Sequence, residues 1–242
     1  MREAVGRLSN GRLAWLWLLA EPIMQICMML FMFTVIRMRV VSGISTEAWL
    51  IIGLGTYVMF KRPSSQLQSG IGANRALFTY RQVRPMDTML VRAWLEGFIN
   101  LLILTILFAG GNFFGVELIP QDPLMVLNVL LGMWLMGLGY GLITSVAVEL
   151  IPKISILLGF LSTLLHLSSG VILPINHIPL PYRNWLLANP LLHGTELARQ
   201  GVSSLYHPLT GVNISYLYLC GITLVFFGLA LQRRFETRML RK

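Results

Sequence analysis

The sequence predicts an all-α integral membrane protein with six transmembrane helices, an N-terminal interfacial helix and external re-entrant helices. Three observations point to that class. Hydrophobic residues make up 55% of the 242 positions and charged residues only 12%, against roughly 25% charged in a soluble domain. Six stretches reach or approach the roughly 20 apolar residues that a spanning helix needs. The nineteen Lys and Arg lie mostly between those stretches and mostly on one side. In a soluble chain a net charge of +9 and a pI near 10.2 would suggest nucleic acid as a partner. Here the cations read as topology signals, and no nucleic-acid partner is expected. No linker, low-complexity tract or solenoid repeat divides the chain, so residues 1–242 read as one transmembrane domain.

Residues 1–12 set Arg2, Arg7 and Arg12 among Val5 and Leu8, as a helix lying in the headgroup layer would. The spans follow at about Leu13–Ile36, Ala48–Phe60, Trp94–Phe114, Leu124–Val148, Ile154–Ile172 and Ile214–Leu231. The first block is too long for the apolar core of a signal peptide. The second is short and bounded by Lys61 and Arg62, so it either extends through Ser45 or sits in thinned bilayer. With the N-terminus inside, fifteen of the nineteen cations face the cytoplasm and only Arg37, Arg39, Arg183 and Arg199 lie outside. Both termini are therefore expected to be cytoplasmic. Residues 173–200 contain Pro174, Pro179, Pro181 and Pro190, too many interruptions for one span. Irregular backbone at membrane depth requires cover by protein or by a water-filled cavity, so this piece is either re-entrant or folded on the outer surface.

The connection at residues 61–92, KRPSSQLQSGIGANRALFTYRQVRPMDTMLVR, is far longer than the two to eight residues that typically join helices. Its basic-aromatic core contains Arg75, Phe78, Tyr80, Arg81 and Arg84, then Pro85 and Asp87. A docking surface for another protein is one reading. A basic apron on anionic headgroups, at about 1 kcal/mol per cation, is the other. Glu21, beside Pro22 and Gln25 in WLWLLAEPIMQ, also has two readings: a polar, kinked wall of a substrate path, or an inner-interface carboxylate paired with Arg12. Trp15 and Trp17 occupy aromatic-belt positions, with sugar stacking as the alternative. The GLGYG run at Gly137–Gly141 carries the small-residue spacing of close helix packing, and Cys27 and Cys220 read as packing residues inside apolar segments.

Catalytic and metal signatures are scarce. His193 and Glu196 form an HxxE pair, but zinc wants three or four ligands, so no metal site is assigned. There is no G-x-S-x-G elbow and no GxxxxGK[S/T] phosphate loop, so the chain is not expected to be an enzyme or to hydrolyse ATP itself.

Four runs carry a resemblance: WLWLLAEP (Trp15–Pro22), ALFTYRQVRPMDTMLVRAWLEG (Ala76–Gly97), VILPINHIPLPYRNWLLANPLLHGTELAR (Val171–Arg199) and GLALQRRFETRML (Gly228–Leu240). Together they resemble the inner-membrane permeases of ABC exporters for capsular polysaccharide. The resemblance implies a six-span subunit that forms a homodimer and binds two copies of a separate ABC ATPase. That partner would hold the ATP and Mg, with no cofactor bound by this chain. It further implies a bacterial inner-membrane location, a lipid-linked polysaccharide as substrate, and a periplasmic co-polymerase and outer-membrane export protein as further partners. Residue by residue, 1–12 would be the interface helix. Asn74, Arg75, Phe78, Tyr80, Arg81, Arg84, Pro85 and Asp87, with Glu149 and Lys153 in a second connection, would couple to the ATPase. Pro174, Asn189, Pro190, His193 and Glu196 would belong to the periplasmic gate. Along the substrate path, Arg2, Arg7 and Arg12 would attract an anionic lipid phosphate and Glu21 would line the wall. Trp15, Tyr57 and Phe60 would slide along sugar faces. Export of O-antigen, teichoic acid or another lipid-linked glycan, and a non-transporting membrane scaffold, are the alternatives.

Overall fold

The fold is seen in a computed structural model that describes Met24, Met28 and residues 40–41, 43–79, 84–172, 174–175 and 178–240. The expected interface helix and nearly all of the first expected span, with Cys27, lie outside the described residues. So do Arg2, Arg7, Arg12, Trp15, Trp17 and Glu21, and in the long connection Tyr80 and Arg81.

A two-residue hairpin, β1 (Val40–Val41) and β2 (Ile44–Ser45), pairs Val40 with Ser45 and Val41 with Ile44. Gly43 closes it at φ 95°, where a Cβ would lie 2.5 Å from the Leu205 carbonyl oxygen. Ser45 then starts α1 (Thr46–Gln68), its hydroxyl accepting from the Ala48 N–H at 3.2 Å, a side-chain cap for an otherwise orphaned donor. The second apolar stretch therefore starts where expected but does not stop at Phe60. It runs through Lys61, Arg62 and Pro63 because Pro63, Ser64 and Leu67 are still buried against neighbouring helices. The expected connection at 61–92 shrinks accordingly to residues 69–84, built from α2 (Gly70–Ala73) and a 3-10 turn at Arg75–Thr79.

Next come α3 (Pro85–Phe113) and α4 (Pro123–Leu150). Both begin with proline at the first position, where the missing N–H has no intrahelical partner to lose. Asp122 caps α4 through the Met125 N–H at 2.9 Å. Then follow α5 (Ile154–Leu167), α6 (Leu180–Leu186), α7 (Pro190–Val202) and α8 (Ile214–Leu240). Among the described residues, Pro85–Phe113, Pro123–Leu150 and Ile214–Arg238 are long and apolar enough to cross a membrane. The fifth expected span is cut short. α5 has 14 residues, about 20 Å at 1.5 Å each, and it ends in a turn where Gly170 adopts φ 66°.

The core is centred on α4, which lies between α1 and α8. Its glycines explain how. A Cβ on Gly137 would come within 2.6 Å of the Phe60 carbonyl oxygen, and one on Gly141 within 2.8 Å of Leu67 Cβ, both on α1. On the opposite side a Cβ on Gly139 would sit 2.6 Å from Leu224 Cβ, and one on Gly132 2.8 Å from Leu217, both on α8. Residues four apart share a helix face and residues two apart do not, so one glycine run serves two neighbours. The paired positions also rise together along α1, α4 and α8, so these three helices run parallel. Between α1 and α4 the chain returns through α3; between α4 and α8 it returns within residues 151–213. Gln232 then joins α8 to α4 by donating to Ser145 Oγ at 2.8 Å, and the half-buried Cys220 is a free thiol in α8.

Candidate functional site

Each end of the bundle carries a polar assembly. At the end where α1 and α4 finish, α2 is closed by Asn74, whose side-chain N–H donates to the Gly70 carbonyl at 2.8 Å. Phe78 then packs, half-buried, on the main core. Arg75 Nη2 reaches Glu149 Oε1 at 2.7 Å across the two connections, with half of the Arg75 side chain still exposed. Two segments that the sequence placed in separate contacts thus form one surface. Pro85 is buried at the start of α3, while Arg84, Asp87 and Lys153 are exposed around it. Asp87 lies in the first turn of α3, where a carboxylate meets the positive end of the helix dipole. Behind this surface Arg92 Nη2 donates to Gln66 Oε1 at 2.6 Å, bracing α3 on α1.

At the other end the proline-rich segment divides: α6 leaves Tyr182 and Trp185 exposed, whereas α7 is largely buried. Asn189 joins α5 to α7: its Nδ2 donates to Ser168 Oγ at 2.8 Å and to the Leu165 carbonyl at 3.1 Å, while its Oδ1 caps α7 at the Leu191 N–H. Pro190 takes the first helical position, and Pro174 is half-buried beside the buried Ile175. His193 stacks on Tyr216 with ring centroids 4.9 Å apart. Its Nδ1 accepts from the Asn213 N–H at 2.9 Å, so Nε2 carries the proton and donates to the Leu187 carbonyl at 2.8 Å. Both ring nitrogens are therefore engaged within the protein.

Glu196 has different partners. Its Oε1 accepts from Arg199 Nη1 at 3.0 Å and from Tyr206 Oη at 2.8 Å, and its Oε2 accepts from the Leu209 N–H at 3.3 Å. Arg199 completes the network, donating through Nη2 to the Gly170 carbonyl at 2.9 Å and through Nε to the Trp49 carbonyl at 3.3 Å. Its guanidinium carbon lies 3.8 Å from the centroid of the Trp49 ring, within cation–π range. Gly53 is what lets the side chain in, since a Cβ there would lie 2.3 Å from Nη2. Burial pushes the Tyr206 phenol well above its ordinary pKa, with the Arg199 charge opposing and the Glu196 charge adding to that rise. Tyr206 thus remains a donor to Glu196. Arg199, Trp49 and Tyr206 are the members that sequence reasoning missed. The available signal was the E-x-x-R spacing in HGTELAR, which sets the two charges one turn apart on one face.

The two described residues of the expected substrate path, Tyr57 and Phe60, are only 3% and 1% exposed. They form part of an aromatic chain from α4 to α5. Centroids are 5.7 Å apart for Tyr140–Phe60, 5.8 Å for Phe60–Tyr57 and 4.3 Å for Tyr57–His166. Among the described residues nothing covers the outer side of α5, with Ile156 80% and Phe160 63% exposed.

Comparison with known proteins agrees with this architecture. The ABC-2 type transporter family profile matches residues 1–203. The chain is 34% identical to the polysialic acid transport protein KpsM of Escherichia coli, over 99% of this chain and 93% of that protein. It is 30% identical to the capsule polysaccharide export inner-membrane protein CtrC of Neisseria meningitidis, over 98% and 89% of the two chains. It is 26% identical to the capsule polysaccharide export inner-membrane protein BexB of Haemophilus influenzae, again over 98% and 89%. With a family match across most of its length, and long apolar helices packed around a glycine-bearing centre, the chain belongs to the ABC-2 type transporter family.

Proposed function

We propose that this chain is the permease subunit of an ATP-driven exporter that moves a lipid-linked capsular polysaccharide across the bacterial inner membrane. Two copies form the path at a homodimer interface, with both termini cytoplasmic and six spans in each copy. The observation that carries the reading is the Arg75–Glu149 bridge, which joins two connections into one charged surface at a single end of the bundle. A membrane subunit without a phosphate-binding loop has to take its energy from outside. Such a surface, resting directly on α1 and α4, is where two ABC ATPase copies holding ATP and Mg would grip. Full-length similarity to relatives named for polysialic acid transport and capsule polysaccharide export supports the cargo class.

Physical considerations favour a continuous path over an enclosed cavity, because a polymer is longer than any membrane protein is thick. The uncovered apolar side of α5 would meet the second copy, and the path would run beside it with Tyr57 and Phe60 behind. The 173–200 segment, held by Asn189, Glu196 and Arg199, would form the periplasmic gate, handing the polymer to a co-polymerase and an outer-membrane export protein. Deleting the gene and assaying intact cells for surface polysaccharide tests the proposal. Loss of capsule alone is expected. Loss of O-antigen or teichoic acid with capsule intact would redirect the cargo, and purification without any ATPase would favour a scaffold instead.

A further inference from the structure

Lys61 is a cation inside the helix bundle with no carboxylate against it among the described residues. It lies on α1 one turn beyond Tyr57, half-buried, and its Nζ donates to Ser162 Oγ in the middle of α5. That hydroxyl is its only hydrogen-bond partner among the described residues. An ammonium held away from water without an anion is costly, and one hydroxyl satisfies only one of its three N–H donors. The surroundings share this incompleteness. Tyr57 makes a single long hydrogen bond of 3.5 Å, to the Ser162 carbonyl. At the two ends of the aromatic chain, Tyr140 Oη and His166 Nδ1 are buried with no hydrogen-bond partner among the described residues. By contrast, the carboxylate and guanidinium of Glu196 and Arg199 meet four hydrogen-bond partners between them besides each other and the Trp49 ring. Among the described residues, then, one buried polar cluster is complete and another lacks an anionic acceptor.

We infer that Lys61, with Ser162 beside it and His166 one turn along α5, forms a binding site for the anionic phosphate of a lipid. A phosphate supplies several acceptor oxygens to the spare Lys61 N–H groups, and a lipid is the phosphate carrier whose chains match the apolar side of α5 beside them. The apolar side of α5, with Leu157, Phe160, Leu161 and Leu164 exposed next to the site, suits the attached chain. This deepens the exporter proposal by naming the part of the cargo that Lys61 holds, and it rests on that proposal only for the statement that the lipid is cargo. A bulk headgroup and the phosphate of a lipid-linked glycan offer the same chemistry.

The experiment is native mass spectrometry of the purified full chain with lysophosphatidic acid, phosphatidylglycerol or phosphatidylcholine added. The unsubstituted chain should retain lysophosphatidic acid in preference to phosphatidylcholine. Lys61→Gln should lower that retention about tenfold, Lys61→Arg should keep it, and Arg233→Gln, on the exposed end of α8, should change it less than twofold. Thermal melting of each variant separates loss of ligand from loss of fold. Lys61-dependent retention of phosphatidylglycerol that lipid-linked glycan extracted from the same membrane does not displace would assign the site to bulk headgroups, whereas displacement by that glycolipid would assign it to a lipid-linked phosphate. Retention that is identical in the unsubstituted chain and Lys61→Gln would overturn the site. So would a severalfold rise in retention on Glu21→Gln with Lys61 intact, which would identify Glu21 as the anion that Lys61 already meets. Because binding is read without export, a Lys61-dependent result beside capsule that survives deletion of the gene would refute the exporter reading and leave the site standing.

Discussion

The two ion pairs at opposite ends of the bundle differ in kind. Arg199 and Glu196 are 0% and 4% exposed, while Arg75 and Glu149 are 50% and 11% exposed. The first pair is enclosed by Trp49, Tyr206 and two backbone carbonyls, so neither charge has water to fall back on. The second can exchange its partner for solvent or for another protein at little cost. A buried pair of this kind fixes one arrangement, because removing one member leaves the other desolvated. An exposed pair contributes little to stability but presents charge where a partner can use it. The Glu196–Arg199 end is thus built to hold its shape, and the Arg75–Glu149 end keeps charge within reach of water.

Four substitutions test that contrast, ranked by expected loss of stability. Arg199→Met strands Glu196 and should cost about 3–5 kcal/mol, seen as a large drop in melting temperature in detergent. Adding Glu196→Gln should recover part of the loss, and an unchanged melt would mean that the network is not a clasp. Gly137→Val puts a side chain against the α1 backbone and should cost about 1–3 kcal/mol. Gly159→Ala, where a Cβ meets nothing within 4 Å, should be neutral or slightly stabilising in the same assay.

Tyr206→Phe removes one donor to Glu196 and should cost about 1–2 kcal/mol. It should also alter the alkaline limb of stability. Because burial raises the folded phenol above its unfolded value of about 10, the folded state keeps its proton while the unfolded chain loses one. The Tyr206 contribution is therefore complete below about pH 10 and is lost as pH rises beyond it. A melting series across that range should be flatter for Tyr206→Phe. Arg75→Glu should change stability by less than about 1 kcal/mol yet abolish co-purification of the ATPase, with the exchange Arg75→Glu plus Glu149→Arg restoring part of it. Co-purification unaffected by Arg75→Glu would remove the gripping role from this end.

Legibility followed the physics of each region. α3, α4 and α8 were readable because long apolar runs leave the chain no other way to satisfy its backbone in lipid. Pro190 reads in sequence as one of four interruptions, whereas in the fold it starts α7 behind the Asn189 cap. α1 was misjudged at its C-terminal end, since Lys61 and Arg62 look like a boundary until Pro63, Ser64 and Leu67 are seen to be covered. α5 was overestimated because Ile154–Ile172 is uniformly apolar, and composition carries no mark of the turn at Gly170. Tyr57 and Phe60 look like exposed aromatics of a path in sequence, and they are covered in the subunit.

Hydropathy, charge asymmetry and end-capping residues were enough to establish a helical membrane subunit, most helix starts and the segments carrying charge at each end, because those are local consequences of side-chain chemistry in water and lipid. The E-x-x-R spacing pairs Glu196 with Arg199 locally, but what closes around a charge is not local. Arg199 lies 150 positions from the Trp49 carbonyl and Arg75 lies 74 from Glu149, and spacing alone does not say which cation is buried. Only the parallel packing of α1, α4 and α8 brings those residues together. It buries Arg199, leaves Arg75 half in water and sets Lys61 against Ser162 with no carboxylate among the described residues.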